Sequence, residues 1–74
     1  MSRLTPLKPI QIIRILAKLG FQKIRQEGSH AYYRHPDGRA TVVPIHKGED
    51  IGKGLIKKIL QDIEIPWEDF IRYK

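Results

Sequence analysis

The chain has 74 residues, enough for one small domain, and a domain of this size buries only about 60% of the surface of its unfolded chain. A deep substrate cavity is therefore not expected, and any site should lie in an exposed groove or on a sheet face, which suits a polymer better than an enclosed metabolite. The absence of cysteine excludes disulfides, a thiolate nucleophile and cysteine-ligated zinc.

The charge balance is strongly basic. Fourteen Lys and Arg residues against eight Asp and Glu residues give a formal net charge of +6. The excess lies mainly in residues 1–50, which hold nine basic and four acidic side chains, whereas residues 51–74 hold five and four. Such a chain attracts polyanions, so nucleic acid is a candidate partner, although solubility alone also explains the excess. Neither a membrane span nor a signal peptide is visible, which predicts a soluble cytoplasmic protein.

A first helix is predicted from about Pro9 to Leu19. Pro9 suits a first helical turn, and Gly20 suits the position just past the end. Residues 1–7 are expected to form a loose tail of a single domain that spans residues 1–74. The apolar positions that follow helical spacing are Ile12, Ile13, Leu16, Ala17 and Leu19.

Three short strands are predicted next, at residues 21–26, 29–35 and 40–45. Gly28 separates the first two strands. The pair Asp37-Gly38 is a strong signal for a two-residue type I′ hairpin turn between the second and third strands. Pro44 indicates an edge strand or a strand end, because proline cannot donate a ladder hydrogen bond. The result is a three-stranded antiparallel meander.

A second helix is predicted at about residues 54–62, where apolar residues return to helical spacing. Pro66 suits the opening of a last helical turn, in which Trp67, Phe70 and Ile71 cover one edge of the core. These elements describe an α+β domain of order α-β-β-β-α, with a three-stranded antiparallel sheet, two helices on one face and a short C-terminal helix. Double-stranded-RNA-binding domains have the same order.

The predicted turn also predicts the faces of the sheet. A regular two-residue turn at Asp37-Gly38 makes the numbers of facing residues sum to 75, which pairs His30 with Ile45. His46 then lies on the opposite face from His30, unless a bulge near Pro44 alters the parity. One face of the sheet carries small residues that let helices approach closely, so we assign this second face to the helices. The first face is then open to a ligand. The first face would carry His30, Tyr32, Arg34, Thr41 and Val43, and the second Ala31, Tyr33, Ala40 and Val42.

The triplet Gly28-Ser29-His30 places a histidine at the start of the second strand. Histidine is the side chain that both takes up and releases a proton near neutral pH. RNA supplies its own nucleophile, so a histidine near a ribose 2′-hydroxyl can act as general base without a metal or cofactor. Cationic side chains such as Arg34, on the same face, then offset the charge on the phosphorane. Alternatively, His30 caps a strand or hydrogen-bonds nearby backbone, and the residues alone leave both interpretations open.

Basic and aromatic side chains are the candidates for RNA contact. Tyr32 either stacks on a base or fills space between helix and sheet. Lysines near the glycine-opened start of the second helix either bind a phosphate or form a solvated helix face. His35 is predicted to be an ordinary exposed residue, and the spacing of the three histidines matches no metal site. The candidate set is Lys23, Arg25, Tyr32, Arg34, Arg39, Lys53, Lys57 and Lys58.

The order of several short motifs resembles that of the HicA family of toxins from bacterial and archaeal toxin–antitoxin pairs, described as small mRNA interferases. The resemblance covers about residues 8–65. Its motifs are Leu19-Gly20-Phe21, Gly28-Ser29-His30, Pro36-Asp37-Gly38-Arg39, Pro44-Ile45-His46 and the run from Gly54 to Leu60.

The resemblance implies a double-stranded-RNA-binding-like fold and a metal-independent endoribonuclease that cleaves mRNA and arrests growth. It also implies a HicB-type antitoxin that binds and masks the toxin. The catalytic histidine of the family aligns with His30, which favours acid–base catalysis over capping. His46 aligns with a recurrent proline-x-histidine element and is a possible secondary site residue with an open role. The alternatives are a non-catalytic RNA-binding module and a pure protein-interaction subunit.

Overall fold

The computed structural model describes residues 3–74, which form three helices, a three-stranded sheet and a final 3₁₀ turn. The sheet is antiparallel with the order β1-β2-β3. The predicted α+β fold class, with its α-β-β-β-α order and short C-terminal helix, is confirmed. The elements are α1 (Pro9–Lys18), β1 (Gln22–Glu27), β2 (His30–Arg34), β3 (Ala40–Pro44), α2 (Lys53–Ile63), α3 (Trp67–Phe70) and the 3₁₀ turn (Ile71–Tyr73).

The two long helices bury one apolar stripe each against the sheet. Of the positions predicted for the first stripe, Ala17 is exposed, whereas Ile15, which was not predicted, is fully buried. Both helices begin within one residue of their predicted start. The buried residues are Ile12, Ile15 and Leu16 of α1 and Ile56, Ile59 and Ile63 of α2.

The hairpin between β2 and β3 has three loop residues instead of two. The backbone N–H of His35 donates to the carbonyl of Arg39 at 2.8 Å, and that of Gly38 donates to the carbonyl of His35 at 2.9 Å. Gly38 has a φ of +101°. A type I turn followed by a left-handed glycine is the common three-residue hairpin. The predicted type I′ turn is therefore wrong, and the numbers of facing residues sum to 74.

This register corrects half of the predicted faces. His30 pairs with Pro44, not with Ile45, and a slip of one residue exchanges the two faces of a strand. Ala31 and Tyr33 are buried against the helices, so the predicted faces of β2 are right. The predicted faces of β3 are wrong, because the structure buries Thr41 and Val43 and leaves Ala40 and Val42 on the open side.

His35 and Arg39 hold this loop to the core. The ring of His35 packs edge-on against Phe21 at 5.1 Å, and the N–H of Asp37 donates to its Nδ1 at 3.1 Å. Arg39 donates from Nη1 to the carbonyl of Ile63 at 2.6 Å and from Nε to Asp37 at 2.8 Å. The hydrogen bond from the Arg39 backbone N–H holds the pKa of the Asp37 carboxyl below its ordinary value. His35 is a half-buried structural residue, so the prediction that it is an ordinary exposed residue is wrong.

A short bridge joins the segments that precede the two long helices. Leu7 and Ile51 exchange backbone hydrogen bonds of 3.1 and 2.6 Å, and they are only 2% and 4% exposed. The predicted loose tail is therefore wrong for Leu7, and its first two residues lie outside the described ones. The bridge sets the N-termini of α1 and α2 beside each other.

The C-terminal turn completes the core. Phe70 is fully buried, and Trp67 and Ile71 are partly buried against the same cluster. Lys18 Nζ donates to the carbonyl of Tyr73 at 3.1 Å, which ties this turn to α1. The prediction that Trp67, Phe70 and Ile71 cover one edge of the core is confirmed.

Phe70→Ala should lower the free energy of unfolding by about 3–5 kcal/mol, because truncating a buried phenylalanine loses apolar burial and leaves a cavity. Urea denaturation followed by circular dichroism measures the change. Asp69→Ala, at an exposed position of the same turn, is the control and should cost less than about 1 kcal/mol. Equal stability of the two variants would show that this turn is not part of the core.

Stability should fall above pH 10 because of Tyr33. Burial raises the pKa of its phenol above the ordinary value of 10.0. A group whose pKa is higher in the folded state than in the unfolded state contributes its full stabilisation below the pKa of the unfolded state. This contribution is lost as the pH rises toward the pKa of the folded state. The titration of one phenol changes the free energy of unfolding by at most about 1.4 kcal/mol per pH unit. Tyr33→Phe should lack this part of the decline in alkaline denaturation curves, whereas Tyr73→Phe should keep it, and parallel curves for all three proteins would contradict the assignment.

Candidate active site

His30 is presented by a tight turn between β1 and β2. Glu27 and His30 are Cα partners at the end of the ladder, so only Gly28 and Ser29 form the loop. Gly28 has a φ of +59°, whereas that of Ser29 is not positive. This is the pattern of a type II′ turn, in which glycine takes the first central position. The turn brings His30 directly opposite Glu27 on the neighbouring strand.

His30 stands at the start of the central strand, with Pro44 of β3 on its other side. Its side chain lies on the open face of the sheet, which we define as the face opposite the helices, and it is exposed. Within residues 3–74 the imidazole makes no hydrogen bond or ion pair. The alternative that His30 hydrogen-bonds nearby backbone is therefore not realised, and both ring nitrogens are accessible to a ligand.

A stacked pair lies next to His30 on the open face. Tyr32, two residues along β2, is half-buried, and Arg25 of β1 is its Cα partner. Arg25 Cζ lies 4.3 Å from the centre of the Tyr32 ring, a cation–π distance. Its Nη1 lies 3.4 Å from Oε2 of Glu27, with both side chains more than half exposed. Such an ion pair contributes little to stability, so the guanidinium is available to other anions.

A β-bulge in β1 separates Lys23 from this group. The register shifts between Lys23 and Arg25, so Lys23 pairs with Tyr33 while Arg25 pairs with Tyr32. Lys23 is thereby placed on the helix side of the sheet, where its Nζ donates to Oε1 of Gln26 at 3.0 Å. The bulge thus places Lys23 and Arg25, two of the predicted RNA-contacting cations, on opposite faces of the sheet.

The remaining predicted cations are spread over the fold. Arg34 shares the open face with His30 but lies four residues along β2, about 13 Å away. Arg39 uses its donors within the fold, as described above. The lysines of α2 are exposed on a helix that packs on the other face, and one of them, Lys58, pairs with Asp62 at 3.3 Å. The structure brings together His30, Arg25 and Tyr32, keeps Arg34 on the same face but farther along β2, and places Lys23, Arg39, Lys53, Lys57 and Lys58 off this face.

His46 lies beyond the end of β3 and is exposed. It lines a groove of about 430 Å³ between the start of α1 and the loop of residues 45–50. Its predicted position on the face opposite His30 rested on the wrong register. Because β3 ends at Pro44, pairing no longer fixes its orientation, and the groove beside α1 is where the structure places it.

Glu27 belongs to this site but not to the predicted set. The sequence contains a signal for this pairing, because Glu27 and His30 flank a Gly-Ser pair. A two-residue loop is the shortest common hairpin connection, and it places its flanking residues opposite each other. Among residues 3–74 no group of three or more His, Cys, Asp or Glu side chains is arranged to hold a metal ion. The groups that the site offers are therefore an imidazole, a carboxylate, guanidinium groups and an aromatic ring.

A comparison with protein-family models identifies the family of this chain. No helix within residues 3–74 has the length and apolar character needed to cross a membrane. No curated protein matches this sequence. A family model described as "HicA toxin of bacterial toxin-antitoxin" matches residues 11–65, which include all three strands, α2 and the turn that presents His30. Since this match extends over more than half of the chain, the protein belongs to the HicA family of toxins from bacterial toxin–antitoxin pairs.

Proposed function

We propose that this HicA-family toxin is a metal-independent endoribonuclease of the cytoplasm, which arrests growth by cleaving mRNA. The observation that carries the proposal is the free imidazole of His30, which within residues 3–74 makes no hydrogen bond or ion pair and stands exposed on the open face. A histidine kept for structure uses its ring within the fold, as His35 does. The imidazole of His30 is instead available for proton transfer.

The chemistry of RNA explains why so few groups suffice. Removal of the proton from a 2′-hydroxyl creates the nucleophile that attacks the adjacent phosphorus, and the 5′-oxygen leaves with a proton. His30 takes part in this proton transfer as base or acid. Arg25, next to His30 on the open face, opposes the negative charge that grows on the phosphorane, and Arg34, farther along the same face, contacts the RNA beyond the scissile phosphate. The ring of Tyr32 offers a stacking surface to an unpaired base.

The cations that lie off the open face have a different proposed role. Lys23, Lys53, Lys57 and Lys58 are exposed and lie on the helix side of the sheet, so they attract the RNA backbone over a distance. Arg39 contributes its charge while its donors stay bound to the fold. The groove at His46 remains a secondary candidate for RNA contact. Phosphate attraction and chemistry are thereby divided between different residues.

A HicB-type antitoxin is the proposed protein partner. Family membership assigns the chain to a toxin–antitoxin pair. The open face is only three strands wide, so a protein that covers it excludes RNA from His30. Masking of the imidazole is then sufficient to silence the toxin.

His30→Ala should abolish RNA cleavage and growth arrest and leave the fold intact. The exposed side chain makes no polar contact within residues 3–74, so its loss should shift the melting temperature by less than about 4 °C. Cleavage of a defined transcript in the presence of EDTA, growth after induced expression and thermal unfolding measure the three effects. Retained cleavage by the folded variant would overturn the assignment of His30. Loss of cleavage in His46→Ala alone would transfer it to His46.

RNA affinity of the isolated protein separates the two other functional classes. Binding should weaken steeply with added salt if phosphate contacts dominate, because neutralised phosphates release condensed counterions. A non-catalytic RNA-binding module predicts equal binding by wild type and His30→Ala with no cleavage by either. Absence of binding at low salt would instead identify a protein-interaction subunit.

A further inference from the structure

We propose that Glu27 is the second proton-transfer residue of this site and acts as general base, with His30 as general acid. The inference rests on the proposed RNA cleavage, which needs two proton transfers. One proton leaves the 2′-hydroxyl and another reaches the departing 5′-oxygen. Two groups that flank the phosphate perform both transfers in one step, whereas a single imidazole must take up the first proton and deliver it at a second position.

The turn geometry places the two groups together. Glu27 and His30 close the Gly28-Ser29 loop as Cα partners. Directly opposed residues of antiparallel strands send their side chains to the same face, with Cβ atoms about 4.5–5.5 Å apart. Both side chains are exposed. Two side chains that start this close can flank one phosphodiester, with the carboxylate at the 2′-hydroxyl and the imidazole at the 5′-oxygen.

Arg25 makes a carboxylate compatible with a bound phosphate. Its Nη1 lies 3.4 Å from Oε2 of Glu27, and among residues 3–74 this contact, not one with His30, is the ion pair that Glu27 makes. A guanidinium carries five N–H donors, so a second edge stays free for phosphate oxygens. Stacking on Tyr32 at 4.3 Å holds it beside both groups. One cation thus offsets the charges of base and substrate.

The other two histidines occupy places of their own in the fold. His35 packs on Phe21, and His46 lines the groove beside α1. Asp37 belongs to the hairpin loop at the opposite end of β2. The charged strand residues on the same face as His30 are Glu27 and Arg25, which lie next to it on β1, and Arg34, farther along β2, whereas β3 presents Pro44 and Val42. Among the strand residues of the open face, Glu27 is the one carboxylate.

The assigned step is balanced without a metal or co-reactant. The Glu27 carboxylate takes the proton of the 2′-hydroxyl, and the 2′-oxygen forms a bond to phosphorus as the bond from phosphorus to the 5′-oxygen breaks. The imidazolium of His30 gives its proton to the 5′-oxygen. The products are a 2′,3′-cyclic phosphate and a 5′-hydroxyl, and exchange of one proton through water restores both side chains.

The sulfur-substitution experiment separates the two roles. It uses a short RNA whose mapped cleavage site carries a 5′-bridging sulfur, and the matched all-oxygen RNA. A thiol is far more acidic than an alcohol, so the thiolate leaves without a general acid. His30→Ala should lose about 10²–10⁴-fold in rate on the oxygen RNA and return to within about tenfold of wild type on the sulfur RNA. Glu27→Gln should lose a similar factor on both.

The pH–rate profile of kcat/KM gives a second readout. A base and an acid that act together require one group ionised and the other protonated, so the wild-type profile should be bell-shaped. Glu27→Gln should lose the acidic limb of the profile. A wild-type rate that rises steadily through the range in which histidines titrate would make His30 the base and overturn the proposal.

The controls distinguish this proposal from the proposed function. Glu64→Gln, at the exposed end of α2, should cleave both RNAs like wild type, and melting curves check that all variants fold. Wild-type cleavage by Glu27→Gln, or a His30→Ala protein that stays inactive on the sulfur RNA, overturns the pairing and leaves the endoribonuclease intact. A wild type that cleaves no RNA overturns the endoribonuclease itself.

Discussion

The packing of both long helices on one face of a three-stranded sheet decides what this domain can offer a ligand. Ala31 and Tyr33 of β2 are buried in the core. Because side chains alternate along a strand, His30 and Tyr32 lie on the other face. A chain this small has too few residues to cover that face with a further layer. The burial that stabilises the fold therefore also leaves an exposed surface, and a site on it removes no residue from the core.

The two ends of the sheet have different tasks. At the hairpin end, Arg39 satisfies the carbonyl of Ile63, and Thr41 donates to Oδ2 of Asp62 at 2.9 Å, so no buried side-chain nitrogen or oxygen of the described residues lacks a partner. At the other end, His30 has no such partner within residues 3–74. The polar side chains at the hairpin end are thus hydrogen-bonded within the fold, whereas the imidazole at the other end is available to a ligand. The core also extends beyond the matched family segment, since Leu7 and Phe70 are both buried.

Local patterns predicted the helices and the faces of β2, because periodicity and caps act within one element. The register of β3 was not predictable from Pro36-Asp37-Gly38, which fits both a two-residue and a three-residue loop. The choice is made by the packing of His35 on Phe21 and by the bond from Arg39 to Ile63, which are distant in sequence. Glu27 was missed for a different reason, because the two-residue loop that pairs it with His30 is visible in the sequence. A motif identifies a histidine, whereas its partner follows from pairing across the turn.

In the proposed mechanism the carboxylate of Glu27 lies beside a bound phosphate, and the other charges offset this repulsion at two distances. At contact it repels an incoming phosphate, and Arg25 at 3.4 Å offsets that repulsion. Farther out, the net charge of +6 attracts RNA, but salt screens this attraction over about 8–10 Å. In the proposed cleavage, cations away from the scissile phosphate govern association, whereas Glu27, Arg25 and His30 govern the chemistry. For the proposed endoribonuclease we therefore expect ionic strength to act on KM much more than on kcat, because the groups at the reacting phosphate are already in contact.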